Sequence, residues 1–311
     1  MYHSPHPLDK RKLGRSDIEV SRLSLGGAGL GGIFGQVPEA EGIAAVQKAL
    51  ELGLHWLDTS PFYKESERRM GMALRGVPRE QYVLSSKAGT HPDWFQQYSA
   101  ESFYRSVDNS LRLLGTDYLD LCLIHDPLPR HMDEVLGPGG GLEALRDLKQ
   151  QGIIRAIGIG VRQHASLQRA IDTGEMDVAL TFSDYTLMRQ TALKLQSHAQ
   201  NHGTALVNGA PLAMGLLSGQ APEKIGTSAW KPPQEEVSAV KEIAAWCGQR
   251  GITVLSLALQ FSLRQEAFAA TLIGASTPAE VEQSFAAVCE PIPVPIWEEL
   301  PELLARLRLS N

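Results

Sequence analysis

Short apolar runs alternate with amphipathic stretches along almost the whole chain. The runs fall at residues 21–25, 55–58, 82–87, 118–125, 154–161, 177–182, 205–211 and 271–274. Their brevity and their Leu, Ile and Val content predict strands buried on both faces. The stretches between them lie at 38–52, 66–74, 99–114, 142–151, 166–173, 188–201, 234–250 and 278–288, with apolar residues at helical spacing. In the first, Ile43, Val46, Ala49 and Leu50 share one side of a helix. Gly53 and Gly115 follow two such segments, where a helix favours a left-handed cap. Eight strand-then-helix units without a compositional break predict an α/β fold: a single (β/α)8 TIM barrel over residues 1–311. Residues 11–20 are expected to form a hairpin across the barrel floor, after a mobile tail over 1–11. Two features break the repeat. Residues 254–263 read as an extra helix, and 219–236 form a long Pro- and Gly-containing loop that suits either a lid or a plain insertion.

Bulk properties narrow the partners. A length of 311 residues fits one large barrel with insertions. The net charge of −6 gives no basic face, so nucleic acid is not an expected partner. Cys122, Cys247 and Cys289 are too scattered for a disulfide frame or a zinc motif and read as reduced thiols. The N-terminus lacks the apolar stretch of a secretory signal, and no run approaches the ~20 apolar residues of a membrane span. A cytoplasmic protein without a metal or a membrane partner is expected, either monomer or homodimer.

Chemistry enters at the strand ends. Asp58, Lys87 and His125 close the second, third and fourth runs, and Tyr63 follows in Asp58-Thr-Ser-Pro-Phe-Tyr63. The C-terminal ends of parallel barrel strands share one rim, where barrel enzymes place their active sites. These four groups can form an acid–base device. A phenol with its pKa of about 10 is a poor base at neutral pH. A neighbouring ammonium, here Lys87, favours the phenolate. Asp58 would hold Lys87 charged and oriented, and His125 would hydrogen-bond the substrate oxygen and help relay the proton. A second motif, Gly27-Ala-Gly29-Leu-Gly31-Gly32, matches G-x-G-x-x-G after a strand. No helical period begins before Pro38, so it reads as a flexible first rim loop that a ligand can approach, not a dinucleotide-binding turn.

The four residues resemble the catalytic tetrad of the aldo-keto reductase superfamily. Ser66-Glu67 with Met70-Gly71, the segment from Leu111 to Asp120, Gly152-Ile-Ile-Arg-Ala-Ile-Gly158 and Ala210-Pro-Leu-Ala-Met-Gly-Leu-Leu217 resemble it too. Within the superfamily, His125-Asp126, residues 210–217 and Gly274-Ala-Ser-Thr-Pro-Ala-Glu-Val-Glu282 resemble the L-galactose dehydrogenase group, which includes aldose 1-dehydrogenases and pyridoxal 4-dehydrogenases. The resemblance implies oxidation of the anomeric hydroxyl of a free aldose, of L-galactose or L-fucose type, to the lactone. Tyr63 would be the general base, assisted by Lys87, Asp58 and His125. Pyridoxal 4-dehydrogenase, an NADP-dependent aldehyde or ketone reductase, and a cofactor-sensing regulatory subunit are the alternatives the same resemblance allows. It implies cofactor contacts at Gly27, Gly160, Val161, Pro211, Leu212, Gly215, Leu216, Gly274, Ser276, Thr277, Glu280 and Gln283.

Several positions depart from the family pattern. Gly160 and Val161 stand where many relatives carry Ser-Asn, Phe182 where many carry Gln, and Gly209 near the usual stacking tyrosine. Lys64 replaces a glycine after the tyrosine. NADP-dependent relatives place a basic residue after strand eight to pair with the 2′-phosphate. Residues 274–284 contain none, and Glu280 would repel a phosphate while accepting a ribose hydroxyl. NAD is therefore expected over NADP. Substrate choice would lie in the rim loops at 27–37, 91–97, 126–140 and 219–236, where Phe34 and Trp94 suit either a sugar face or ordinary rim packing.

Overall fold

The computed structural model describes residues 6–227 and 231–307. Eight parallel strands close a barrel: β1 (Leu23–Gly26), β2 (Trp56–Asp58), β3 (Val83–Ala88), β4 (Leu119–His125), β5 (Ile154–Gly160), β6 (Val178–Phe182), β7 (Ala205–Gly209) and β8 (Phe268–Ile273). Each pairs with the next in sequence, and β8 pairs with β1. Every predicted run is a strand, with its ends moved by a few residues.

Alternate residues of a strand face opposite sides of the sheet. Trp56, Leu121, Leu123, Ala156, Val178, Leu180, Val207, Ala270 and Leu272 fill the interior, so the barrel is packed solid below its mouth. Leu13, Ile18 and Val20 join that cluster from the expected floor hairpin, in which Lys10–Lys12 pairs with Glu19–Ser21. The tail expected to be mobile is tied down from His6 onward. The Leu23 N–H donates to the Pro7 carbonyl at 2.9 Å, the Arg22 N–H to that of Asp9 at 3.0 Å, and Leu8 packs on the core. Residues 1–5 lie outside the described residues.

The other face of each strand packs against helices Glu39–Glu51, Ser66–Ala73, Ala100–Leu114, Gly141–Gln150, His164–Asp172, Gln196–Asn201, Val254–Leu263 and Pro278–Cys289. Caps set their ends: Ser99 accepts the Ser102 N–H, and Gly115 ends its helix at φ 69°. The sixth helix is shorter than the predicted 188–201. Thr186 and Arg189 close a turn, and the Gln190 amide donates to the Thr186 carbonyl at 2.8 Å, so residues 186–190 are tied into a turn.

Helix Val254–Leu263 is present as predicted, whereas Met132–Leu136, Val294–Arg306 and the hairpin Thr90–His91/Trp94–Phe95 were not. Ile296, Leu300, Leu303 and Leu307 follow helical spacing, but the prolines at 291, 293, 295 and 301 obscure it. Pro295 sits in the first turn, where no N–H is needed. Val254–Leu263, Gln234–Gln249 and Val294–Arg306 build a second apolar cluster that includes Leu216 and Leu217, supporting the rim loop after β7. The helix expected over 234–250 runs Gln234–Gln249, so the loop expected over 219–236 ends where that helix begins, and residues 228–230 lie outside the described residues. Among the described residues no helix is long and apolar enough to cross a membrane.

Candidate active site

Strand alternation decides what faces the mouth. The inward positions nearest the C-terminal ends are Gly26, Asp58, Lys87, His125, Gly160, Phe182 and Gly209, and Gly274 follows β8 in the same phase. The mouth thus has two halves. One, on β2 to β4, carries Asp58, Lys87 and His125. The other, from β5 round to β1, carries four glycines and Phe182.

The polar half is tightly bonded. Lys87 Nζ donates to Asp58 Oδ2 at 2.5 Å and to the Thr59 carbonyl at 2.7 Å. The other carboxylate oxygen accepts from Ser85 Oγ at 2.7 Å, and Ser85 accepts from Trp56 Nε1 at 2.9 Å. Burial works against the Lys87 charge, but Asp58 and, after it, Tyr63 together outweigh burial and hold the ammonium above its ordinary value. A one-turn 3-10 helix, Pro61–Tyr63, brings Tyr63 over this pair, with Ser60 Oγ accepting the Phe62 N–H at 3.2 Å. Lys87 Nζ lies 4.8 Å from the Tyr63 ring centroid. The Tyr63 and His125 rings meet edge to face, 5.6 Å apart at 85°.

Tyr63, His125 and Asp126 are displaced from their ordinary values as well. Burial raises the Tyr63 phenol; the Lys87 ammonium opposes this, while the Asp58 and Asp126 carboxylates reinforce it. Lys87 therefore lowers a phenol that burial has already pushed up. Burial, aided by the Lys87 charge, drives His125 well below its usual value and leaves a neutral ring. His125 Nδ1 is hydrogen-bonded to Ser60 Oγ at 3.1 Å and to Thr90 Oγ1. The Tyr98 hydroxyl donates to the His125 carbonyl at 3.0 Å and fixes the end of β4. Burial pushes Asp126 up to about 6, against the pull of Lys87, and its Oδ2 lies 3.8 Å from His125 Nε2.

The bare half leaves room. A Cβ added to Gly160 would meet Leu123 Cδ2 at 3.7 Å and Lys87 Cε at 3.9 Å, and one on Gly274 would meet nothing within 4 Å. Bare backbone here leaves a gap beside Lys87 and Leu123. Next to it Ser183, at φ 55°, holds a buried Oγ with no hydrogen-bond partner. A bare recess and an orphaned hydroxyl fit a nicotinamide and its carboxamide.

The expected cofactor residues divide. Gly160 and Gly274 lie in the recess, and Pro211, Leu212 and Gly215 lie in the loop after β7, where Gly215 has φ 98°. Val161 and Leu216 do not turn inward: their side chains are fully buried in the outer core and the second cluster, leaving only backbone for a ligand. Gly27 is packed shut, since a Cβ would come within 2.8 Å of the Asp58 carbonyl. Gly29 likewise abuts the Gly274 carbonyl, and Gly31 the Tyr63 carbonyl. These glycines let the first loop pack against its neighbours, which replaces the reading of them as an opening for a ligand. Thr277 caps helix Pro278–Cys289, and Glu280 Oε2 accepts the Ser276 N–H at 2.7 Å. Glu280 therefore has a local structural bond, and both it and Gln283 are exposed.

Trp94 is not free for a substrate. His91 stacks on it at 3.4 Å, and the Arg105 guanidinium lies 3.8 Å from its ring centroid. Phe34 is exposed, but the aromatic wall beside His125 is Phe62 and Phe95, 5.5 Å apart and both partly exposed. Ser60, Ser85, Thr90, Ser183 and these two phenylalanines were missed from sequence. Ser85 could have been found, because it lies two residues before Lys87 on the same face. Thr90 sits on the unpredicted hairpin and carried no signal.

The sequence profile of the Aldo/keto reductase family matches residues 22–304. The chain belongs to this family. It is 34% identical over 291 residues to an L-galactose dehydrogenase of Arabidopsis thaliana, covering 91% of this chain and 89% of the relative. A D-threo-aldose 1-dehydrogenase of Pseudomonas sp is 28% identical over 313 residues, covering 92% of this chain and 94% of the relative. The holo structure of an aldo-keto reductase from Bacillus halodurans superposes with a TM-score of 0.80 at 25% identity, covering 98% of this chain and 97% of that one. As an aldo-keto reductase the chain is an NAD(P)-dependent oxidoreductase of sugar or aldehyde substrates.

Proposed function

We propose that this aldo-keto reductase oxidises the anomeric hydroxyl of a free aldose to the lactone, using NAD. The observation that carries the reading is the contact of Lys87 Nζ with Asp58 Oδ2 at 2.5 Å beneath Tyr63, facing a glycine-lined recess. The nicotinamide, when bound, supplies the hydride acceptor. Tyr63 takes the proton of the anomeric hydroxyl. Lys87, kept charged by Asp58, favours the phenolate that does so. His125, neutral and held by Ser60 and Thr90, orients the hydroxyl by hydrogen bonding and is not its proton source. Phe62 and Phe95 form the wall against which an apolar sugar face packs. Two of the chain's relatives bear names of sugar dehydrogenases, which supports the substrate class. The lack of a basic residue in 274–284 supports NAD, because a 2′-phosphate would find no charge partner there.

The test is NAD(P)H formation with L-galactose, L-fucose, D-arabinose and pyridoxal, each with NAD and with NADP. Reduction of NAD by a sugar is the expected result. Because burial raises the Tyr63 phenol, the oxidation should accelerate as pH rises above neutrality. Activity on pyridoxal alone, or only NADPH consumption with aldehydes, would overturn the sugar reading. Tight dinucleotide binding without turnover of any substrate would favour a sensor.

A further inference from the structure

A second group of chemistry-bearing side chains lies away from the mouth. Asp172 closes helix His164–Asp172, and His198 and His202 lie four residues apart at the end of helix Gln196–Asn201. That spacing puts both imidazoles on one side, with ring centroids 4.8 Å apart. One donor atom from each of the three residues lies within 4.8 Å of the others. His198 Nε2 is 3.0 Å from Asp172 Oδ1, and His202 Nε2 is 3.9 Å from the same oxygen.

Two details go beyond a surface ion pair. Despite its closeness to Asp172, His198 Nε2 is buried and makes no hydrogen bond, since the two atoms do not meet at a hydrogen-bonding angle. A buried ring nitrogen normally has a partner. His202 Nδ1 lies 2.9 Å from the His198 carbonyl oxygen. A carbonyl only accepts, so Nδ1 carries the proton and Nε2 keeps its lone pair, turned towards Asp172. Backbone carbonyls set metal-binding histidines in this way.

We propose that His198, His202 and Asp172 form a site for a divalent transition-metal ion, with zinc the best fit. His198 Nε2, His202 Nε2 and a carboxylate oxygen of Asp172 would be its ligands, and water would complete a tetrahedron. Two nitrogens and one oxygen suit zinc, whereas magnesium or calcium takes more oxygen donors. Metal–ligand bonds of about 2.0–2.2 Å need donor atoms roughly 3.3 Å apart. Rotation of these three partly accessible side chains closes the present gaps. Both helices run back from the rim and end on the floor side, so the ion would tie two outer helices together at the end opposite Tyr63. It would raise stability and leave turnover unchanged.

The full-length protein, stripped with a chelator, is titrated with Zn2+ by calorimetry while Tm is recorded. One ion per chain is expected, with Tm raised by about 5 °C at a hundredfold excess over Kd. Asp172→Asn and His202→Gln should each weaken binding at least tenfold while keeping the metal-free Tm, and His55→Gln, at an exposed histidine elsewhere, should change nothing. Either variant that keeps its metal-free Tm suffices. No stoichiometric binding to the wild type would overturn the proposal, as would undiminished affinity in the variants. Zinc inhibition of turnover that persists in both variants would assign the ion to His125 and overturn it as well.

Discussion

The two ends of the barrel solve different problems. At the floor, charges are paired with one another. Asp120 is buried and accepts from Arg79 Nη2 and Arg155 Nη1, each at 2.7 Å, and from the Leu84 N–H at 2.9 Å. Arg79 also lies over the Tyr118 ring, 3.9 Å from its centroid. The rim also holds a buried ion pair, Lys87 with Asp58, but it differs from the floor in its backbone. Among the described residues, every non-glycine residue with positive φ lies in a rim loop: Lys64, Gln96, Asp126, Ser183, Ala210, Ala213 and Met214. Lys64 follows Tyr63, and Asp126 follows His125. Strained backbone persists only where surrounding structure holds it, and such residues cluster at functional sites. The rim also holds the displaced titrating groups Tyr63, Lys87, His125 and Asp126. The floor is arranged for stability and the rim for reactivity, although both belong to the same strands.

The sharpest way to break this contrast is to substitute one residue at each end. Tyr63→Phe removes a hydroxyl that no other group at the rim replaces, and should lower kcat by about a thousandfold. Its Tm and dinucleotide affinity should stay close to wild type. Turnover within tenfold of wild type would remove Tyr63 from the role of base. At the floor, Asp120→Asn leaves Arg79 and Arg155 facing a neutral amide, and should cost about 3 kcal/mol in urea unfolding. Its kcat should be unchanged at a temperature where the variant is folded. A large loss of kcat there would mean that the ends are coupled and that the division is false.

Sequence legibility follows the same division. The strands, the helix caps and the four polar rim residues were readable because each depends on local period or on position at a strand end. Lys87 and His125 face the mouth by alternation alone, since Ser85 and Leu123 precede them on the inner face. What could not be read depends on contacts between loops. The glycines at 27, 29 and 31 looked like an open approach but serve close packing against Asp58, Gly274 and Tyr63. Trp94 suited a sugar face and ordinary rim packing equally, and only the folded contacts of His91 and Arg105 show that it is packed. The helix Val294–Arg306 was hidden by prolines whose cost depends on their place in the helix. The net effect on Tyr63 was also out of reach, because the burial that outweighs Lys87 is a property of the folded mouth.

A smaller effect is expected at the edge of the rim. Glu280→Arg places a cation at the start of helix Pro278–Cys289 and should raise kcat/KM for NADP relative to NAD by about tenfold. The substitution also removes the bond to the Ser276 N–H. Glu280→Gln separates the two effects, since an amide oxygen can still accept that bond. If Gln shifts the ratio as far as Arg does, loss of repulsion suffices. An unchanged ratio in both would place cofactor choice elsewhere on the rim.

The smallest effect concerns Asp126, where strain and displaced titration meet in one residue. Its φ of 47° is tolerated by Asn, so Asp126→Asn keeps the backbone and removes the charge. The folded protein holds the Asp126 proton up to about pH 6, against an ordinary value of 3.8 in the unfolded chain. Below 3.8 the group is protonated in both states and contributes nothing. Between 3.8 and about 6 the unfolded chain gives up the proton while the native state, partly desolvated here, keeps it, so the native state loses stability as pH rises and the loss is complete above about 6. The Asn variant escapes that loss. Its Tm should match wild type at pH 4 and exceed it at pH 8. The side chain is 41% exposed, so solvent screening keeps the gain below about 1 kcal/mol. Equal Tm values at both pH values would show that the rim beside His125 is as well solvated as the protein surface, and the contrast with the floor would then rest on backbone strain alone.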